Sequence, residues 1–415
     1  EAKAAAKPEA KPAAAEAAPA SAFGAGPAYF VVQNALVKLE GGKLSVEQAE
    51  NVRGVAVGPD GVVWVSSYRG VQRIVPGKRP EACGEQTGLS DHLAPGKGEL
   101  FATSYQGIAH WNGSAWRVEE KAKIGAGVTF FNGLGLDAEG VLFASTSDQL
   151  FRREKDGSWK DASPSELVKA AKPYYSDLHA GPDGAIYVKS LKGAFRFQGG
   201  AWSKLPTGIS DTLAAVAPDG RLLLTSYQGA TIVAGGKRQR IVGIKAKSFR
   251  KAVADGAGRF WIVTDYGIAI VGPDGKLAQQ WEPGQLKEVA GDVRSLAVVG
   301  KGPELPTLGA KAVGTVKGKI LRGGSAVAGA IVELCESPSM ILFGRGATPC
   351  SKAIFKASAT TDAEGSFSIP GVPIGSYRFA VKAAPKWVIM FGGDCCAKMK
   401  EGQSYDIGAI TLKER

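Results

Sequence analysis

The sequence predicts an all-β protein: a ring of repeated four-stranded units, followed by a smaller β unit of different pattern. Three observations carry this. An apolar run, a Pro-Asp-Gly-type turn and an aromatic-led strand ending in Ser or Thr recur six times, as in GVAVGPDGVVWVSSYRG from Gly54 and LAAVAPDGRLLLTSYQG from Leu213. The turn glycines Gly61, Gly98, Gly140, Gly184, Gly220 and Gly258 are spaced by 37, 42, 44, 36 and 38 residues. After Leu305 the phrase stops, and from Gly314 a new pattern begins.

A period near 40 residues is that of propeller blades, each a supersecondary unit unable to bury its faces alone. The runs are short, rich in Val, Ile, Phe and Trp, and bounded by Gly, Pro, Asn and Asp, which favours strands and hairpins over helices. In each unit the first run, such as Val55-Ala56-Val57, is small and apolar, as an innermost strand buried on both faces should be. The second strand carries Trp64, Phe101, Phe143, Tyr187 or Trp261, large rings that fill the wedge between neighbouring units. Trp116, Trp159 and Trp202 mark fourth strands.

A seventh unit is expected from both ends of the repeat region. DVRSLAVVGKG from Asp292 reads as a first strand without its three successors, and AYFVVQ, ALVKLEGG and KLSVE between Ala28 and Glu47 supply them. Joining the two removes free sheet edges. The expectation is therefore a seven-bladed β-propeller over 23–305, with six or eight blades as alternatives.

These repeats resemble the two-component-regulator and streptogramin-lyase type of β-propeller, in which a turn leads to an aromatic and then to Gly-Ile, Gly-Val or Gly-Leu. Residues 306–312 read as a linker. The remainder, 313–415, is similar to carboxypeptidase-regulatory-like domains, which are transthyretin-like (prealbumin) sandwiches of about seven strands. That likeness rests on Gly318-Lys319-Ile320, Ala328-Gly329-Ala330-Ile331-Val332, Thr361-Asp362-Ala363-Glu364-Gly365-Ser366-Phe367 and Gly375-Ser376-Tyr377. It implies a structural or adhesive module without catalytic residues.

Residues 1–22 hold only Ala, Pro, Lys, Glu and Ser, too little apolar surface to offset ordering entropy, so a disordered tether is expected. Such spacers suit a bacterial envelope lipoprotein whose lipidated cysteine would precede residue 1. The start at Glu1 reads as a processed export product of the periplasm, outer membrane or cell surface. No run of about 20 apolar residues is present, so a lipid anchor would be the membrane contact.

The net charge of +12 divides as zero over 1–22, +7 over 23–312 and +5 over 313–415, so it is spread rather than concentrated. The densest basic run, Lys237-Arg238-Gln239-Arg240, falls on an outer strand without interleaved aromatics, which argues against nucleic-acid binding. Four of the five cysteines, Cys335, Cys350, Cys395 and Cys396, share the C-terminal unit and predict two disulfides in an oxidising compartment. Of three pairings, the two that join the Cys335–Cys350 loop to Cys395-Cys396 are preferred, because a bond between neighbours is strained. Cys83 reads as a buried free thiol.

Binding candidates lie in loops that a propeller gathers on one face. Between second and third strands stand Tyr68-Arg69, Tyr105-Gln106, Tyr227-Gln228 and Tyr266, a partial aromatic ring suited to a protein or glycan partner. The alternative is that each Tyr packs against its neighbouring blade as a repeat-consensus residue. Entering the first strands are Asp91, Asp177, Asp211 and Asp292; they could hold a cation or simply close turns by accepting backbone N–H groups. Arg53, Arg250 and Arg294 alternate with them, which favours the turn role. The lyase resemblance implies a His base and acid-held Mg²⁺ on this face, and His92 and His179 each follow an Asp. No GxSxG, HExxH, phosphate loop or zinc set exists, so no catalytic residue, metal or cofactor is expected. The sequence is read as a non-catalytic binding or scaffold protein, with a lyase-like enzyme or an adhesive surface subunit as alternatives.

Overall fold

The structure is a computed structural model that describes residues 24–48, 51–84, 88–168, 173–208, 210–289, 292–336, 338, 348–351, 353–383, 386–389 and 395–413. The tether expected over 1–22 lies outside the described residues. Between Ala25 and Gly300 the chain forms seven four-stranded antiparallel sheets. Six follow the repeats, over 52–82, 89–120, 133–161, 177–204, 212–240 and 249–281, and are numbered one to six here. The seventh joins distant segments. Val293–Gly300 pairs antiparallel with Ala25–Val32, Tyr29 opposite Ala297 and Phe30 opposite Leu296, and Ala35–Glu40 and Lys43–Gln48 follow. The Gln33 N–H donates to the Asp292 carbonyl at 2.7 Å.

The repeated turn explains why each hairpin forms locally. Its glycine takes a φ between 72° and 80° in all six copies, a region closed to most side chains. The turn aspartate then accepts a backbone N–H two residues on, as Asp60 Oδ1 does from Val62 at 3.1 Å and Asp219 Oδ1 from Arg221 at 3.2 Å. Some turns also brace the next sheet. Asp60 Oδ2 accepts the Gly98 N–H at 2.9 Å, and Arg221 donates to the Gly258 and Pro273 carbonyls, both at 2.8 Å.

The aromatics of the second strands are buried between sheets: Trp64, Phe143 and Trp261 are fully covered and Tyr187 nearly so. Seven apolar clusters each join two consecutive sheets, and the circuit returns on itself. Sheet six meets the end-joining sheet through Phe30, which packs against Trp281 and Trp261 with ring centroids 5.6 Å and 6.2 Å away. That sheet meets sheet one through Val31, Val52 and Val65. The fold is thus all-β and propeller-like, and its walls are built from consecutive hairpins.

The C-terminal unit has two sheets. In one, Val313–Arg322 is flanked by Ser366–Pro373 antiparallel and by Ser404–Leu412 parallel, with Ser325–Ala326 at its end. The other runs Lys356–Thr360, Ile331–Cys335, Arg378–Ala383, Lys386–Ile389. Val316, Ile320, Val332, Leu334, Phe367 and Val381 form a core shared by both. No helix among the described residues is long and apolar enough to cross a membrane.

All four C-terminal cysteines are paired, but not as preferred above. The bonds are Cys335–Cys350 and the neighbours Cys395–Cys396. The reason is placement. Cys335 and Cys350 pack with Ala380, Ala353 and Trp387 on the outer side of their sheet, whereas Cys395 and Cys396 sit in the core between the sheets. A sheet separates the two pairs. Cys83 is a buried free thiol whose pKa is raised by that burial.

Candidate functional site: one face of the ring

The loops between second and third strands are held by the Ser or Thr that ends the second strand. Ser67 Oγ accepts the Arg69 N–H at 3.2 Å and donates to the Gly70 carbonyl at 3.0 Å. Ser226 accepts from Gln228, and Thr264 accepts from Tyr266 and donates to Gly267. Ser104 and Ser190 make the same bond to Gly107 and Gly193. Two of these loops also bond the segments that enter and leave their own sheets: the Tyr68 N–H donates to the Asn51 carbonyl, and the Lys121 N–H to the Gln106 carbonyl. Both loop classes therefore share one face.

On that face Tyr68, Tyr105 and Tyr227 are 61%, 76% and 80% exposed. The Arg53 guanidinium lies 4.7 Å from the centre of the Tyr68 ring, and the Gln228 side-chain amide donates to the Tyr227 hydroxyl at 3.0 Å. Arg69 and Gln106 are exposed beside their tyrosines. Sequence reasoning missed further members. Phe130, Val168, Tyr174 and Val242 are exposed in the connections between consecutive sheets, which carry no repeat signal, and Leu191 is exposed in the second-to-third-strand loop of sheet four, at the position the tyrosines hold. Of the nine large apolar side chains exposed on the described part of the ring, only Val46 lies elsewhere. A large apolar side chain in a connecting loop was the available clue.

Tyr266 departs from the expected aromatic ring. It is 4% exposed and faces the C-terminal unit, beside Glu282, with burial first and Glu282 second raising its hydroxyl pKa to about 12. Here the two units meet. The Ala312 N–H donates to the Gly284 carbonyl at 2.7 Å, and the Ile374 N–H to the Ala312 carbonyl at 3.0 Å. Gly284 has a φ of +84°, and a Cβ there would lie 2.7 Å from the Ala312 oxygen, so the junction needs a glycine. Glu282 receives Lys245 at 2.6 Å and Lys311 at 2.7 Å. Burial pushes its pKa up, but those two lysines outweigh it and the net shift is downward.

The aspartates at the first strands do not converge. Asp211 is buried and accepts from the Gly208 N–H and from Arg238, both within 2.9 Å. Asp292 is paired with Arg250 and Arg294. Asp177 accepts from the Ser176 hydroxyl at 3.2 Å, and the side chain of Asp91 lies outside the described residues. Among the described residues no group of three or more His, Cys, Asp or Glu could hold a metal. Lys237, Arg238, Gln239 and Arg240 form the exposed outer strand of sheet five, and Arg240 donates to the Gln228 carbonyl at 2.8 Å.

A channel of about 1130 Å³ runs among the first strands, its walls mixing apolar side chains such as Val55, Leu134, Leu178 and Leu296 with charged ones such as Asp137, Asp177 and Lys251. His179 lies on it. Its Nε2–H donates to the Leu213 carbonyl at 2.9 Å, and burial together with Lys251 lowers its pKa against the opposing pull of Asp177. That bond commits Nε2 as a donor. His92 is exposed and also lines the channel; His110 instead bonds Glu99 at 2.8 Å and stacks on Phe101.

No family model and no curated protein matches the chain. Among solved structures it is similar to the extracellular domain of a hybrid two-component system from B. thetaiotaomicron, at 11% identity and a TM-score of 0.47, covering 59% of this chain and 38% of that one. A second such domain from the same organism shows 11% identity and a TM-score of 0.44, covering 89% of this chain and 55% of that one. Virginiamycin B lyase from Staphylococcus aureus shows 11% identity and a TM-score of 0.46, covering 78% and 95%. The chain thus spans well under two thirds of the length of either extracellular domain.

Proposed function

We propose that this is a non-catalytic recognition protein of the cell envelope or exterior, which binds a protein or glycan partner through the face carrying Tyr68, Tyr105 and Tyr227. In this reading the seven sheets are the blades of a propeller, and the C-terminal unit is a carboxypeptidase-regulatory-like sandwich that adds a contact surface beside sheet six. The tether would lead to an N-terminal lipid anchor in the periplasm, outer membrane or cell surface. One observation carries the proposal: the large exposed apolar side chains of the ring gather on a single face. The aliphatic members Val168, Leu191 and Val242 favour a protein partner, because a sugar offers them little to pack against.

The test is retention of an envelope partner by the full chain, compared with the Tyr105→Ala plus Tyr227→Ala variant. The partner should be held stoichiometrically by the wild type and lost by the variant, whose melting curve stays unchanged. Equal retention by both would end the reading. A lyase-like enzyme is the second reading, favoured by His179 on the channel. Turnover of a candidate substrate that disappears in His92→Ala plus His179→Ala would replace the first reading with the second.

A further inference from the structure

A pocket of about 70 Å³ lies where sheet six meets the C-terminal unit, apart from the exposed aromatic arc. Asp265 and Glu282 line it from one side, Ser376, Tyr377 and Arg378 from the other. Three buried polar atoms there have no hydrogen-bond partner: Asp265 Oδ2, Ser376 Oγ and Tyr377 Oη. Tyr377 is 1% exposed. Leaving such an atom unsatisfied costs about 1–3 kcal/mol, and native structures keep few of them without a ligand or ordered solvent. The three residues come from two separate units and line one small pocket. Asp265 is also held in place, because its Oδ1 accepts the Lys247 and Ser248 N–H groups at 3.0 Å and 3.2 Å.

The surrounding charges narrow the chemistry. Arg250 and Arg378 line the pocket, but so do Asp265, Glu282, Asp292 and Glu336. A strong anion meets the acids and a strong cation meets the arginines. Glu282 is already met by Lys245 and Lys311, Asp292 by Arg250 and Arg294, and Glu336 by the Ile354 and Phe355 N–H groups. The orphaned atoms on this lining are an acceptor on Asp265 and two hydroxyls that can donate. The complementary ligand is neutral and both donates and accepts within a few ångströms. Adjacent hydroxyls do this.

We infer that the junction pocket binds a neutral polyhydroxylated ligand by the hydroxyl-bearing edge of a sugar ring. One ligand hydroxyl donates to Asp265 Oδ2, while Ser376 and Tyr377 donate to its neighbours. One water needs roughly 10–15 Å³ of such space, so the pocket admits a few hydroxyls and leaves the rest of the ligand outside. The ligand could be a free saccharide or the terminal sugar of an envelope glycan.

Saturation-transfer NMR on the full chain tests this, with a panel of neutral mono- and disaccharides in one arm and isolated envelope polysaccharide in the other. Binding should appear in at least one arm. Signal from free sugars assigns a soluble ligand, and signal from polysaccharide alone assigns a glycan end. Tyr377→Phe keeps the ring in the core and should weaken binding about tenfold, the loss of one hydrogen bond. Asp265→Asn and Ser376→Ala should weaken it as well, and they carry the test if Tyr377→Phe fails to fold. Tyr105→Ala plus Tyr227→Ala should leave sugar binding unchanged, which separates this site from the partner face. The inference is overturned if neither arm shows binding, or if the pocket variants bind like the wild type.

Discussion

Replacing Phe30 by Ala tests whether the two ends of the repeat region hold the ring shut. Phe30 is fully buried at the seam between sheet six and the sheet built from both ends, against Trp261 and Trp281. Burying an aromatic side chain removes about 150–250 Å² from water, worth roughly 4–6 kcal/mol at 25 cal/mol per Å². Mutational series put Phe→Ala in cores at about 3–5 kcal/mol, because the cavity relaxes in part, and that range is adopted. For a unit of this size each kcal/mol shifts the melting temperature by about 2 °C, so Phe30→Ala should lower it by roughly 6–10 °C. Phe30→Leu keeps most of the volume and should cost about 1–2 kcal/mol. Tyr227→Ala, on the exposed face, should stay within about 0.5 kcal/mol. The assay is thermal and urea unfolding of the three variants beside the wild type. A shift below about 2 °C for Phe30→Ala, with Leu and Ala indistinguishable, would mean that the N-terminal strand is not part of the wall, and the closure argument would fall.

Glu282 gives a pH signature. Its folded pKa lies below the unfolded value, so its contribution is present above the unfolded carboxylate pKa and is lost as pH falls through the folded one. Glu282→Gln should be about 1 kcal/mol less stable than wild type at pH 7, a modest figure because Lys245 is half exposed. The gap should close on acidification; a gap independent of pH would refute the pairing. For the cysteines, thiol labelling of native protein should find none reactive, since the free Cys83 is 1% exposed. Denaturation without reduction should expose one thiol. A peptide linking Cys335 or Cys350 to Cys395 or Cys396 would contradict the observed pairing.

Much of the ring was legible because its determinants are local. A glycine at positive φ, an aspartate that bonds two residues on and a Ser or Thr that ties the next loop all act within about four residues. The orphan first strand at Val293 and the unassigned strands near Tyr29 could be matched by counting, since each lacked what the other had. The tyrosine loops were partly legible. Tyr68, Tyr105 and Tyr227 share the repeat position with Tyr266, yet nothing within reach of Tyr266 in sequence records that Pro373–Tyr377 covers that part of the ring. The exposed Phe130 and Val242 escaped notice because they occupy loops without a period, and Leu191 because it holds the tyrosines' repeat position without being aromatic.

By itself the sequence determined the hairpins, their repetition and the need for both ends in one sheet, because turn chemistry and strand alternation are short-range. It also placed four cysteines in one unit. Only the tertiary structure decided which of them bond, which tyrosine turns inward and where an orphaned carboxylate oxygen of the ring shares a pocket with two orphaned hydroxyls of the C-terminal unit. Those outcomes depend on which surfaces come to lie within a few ångströms across hundreds of residues, and no local pattern encodes that distance.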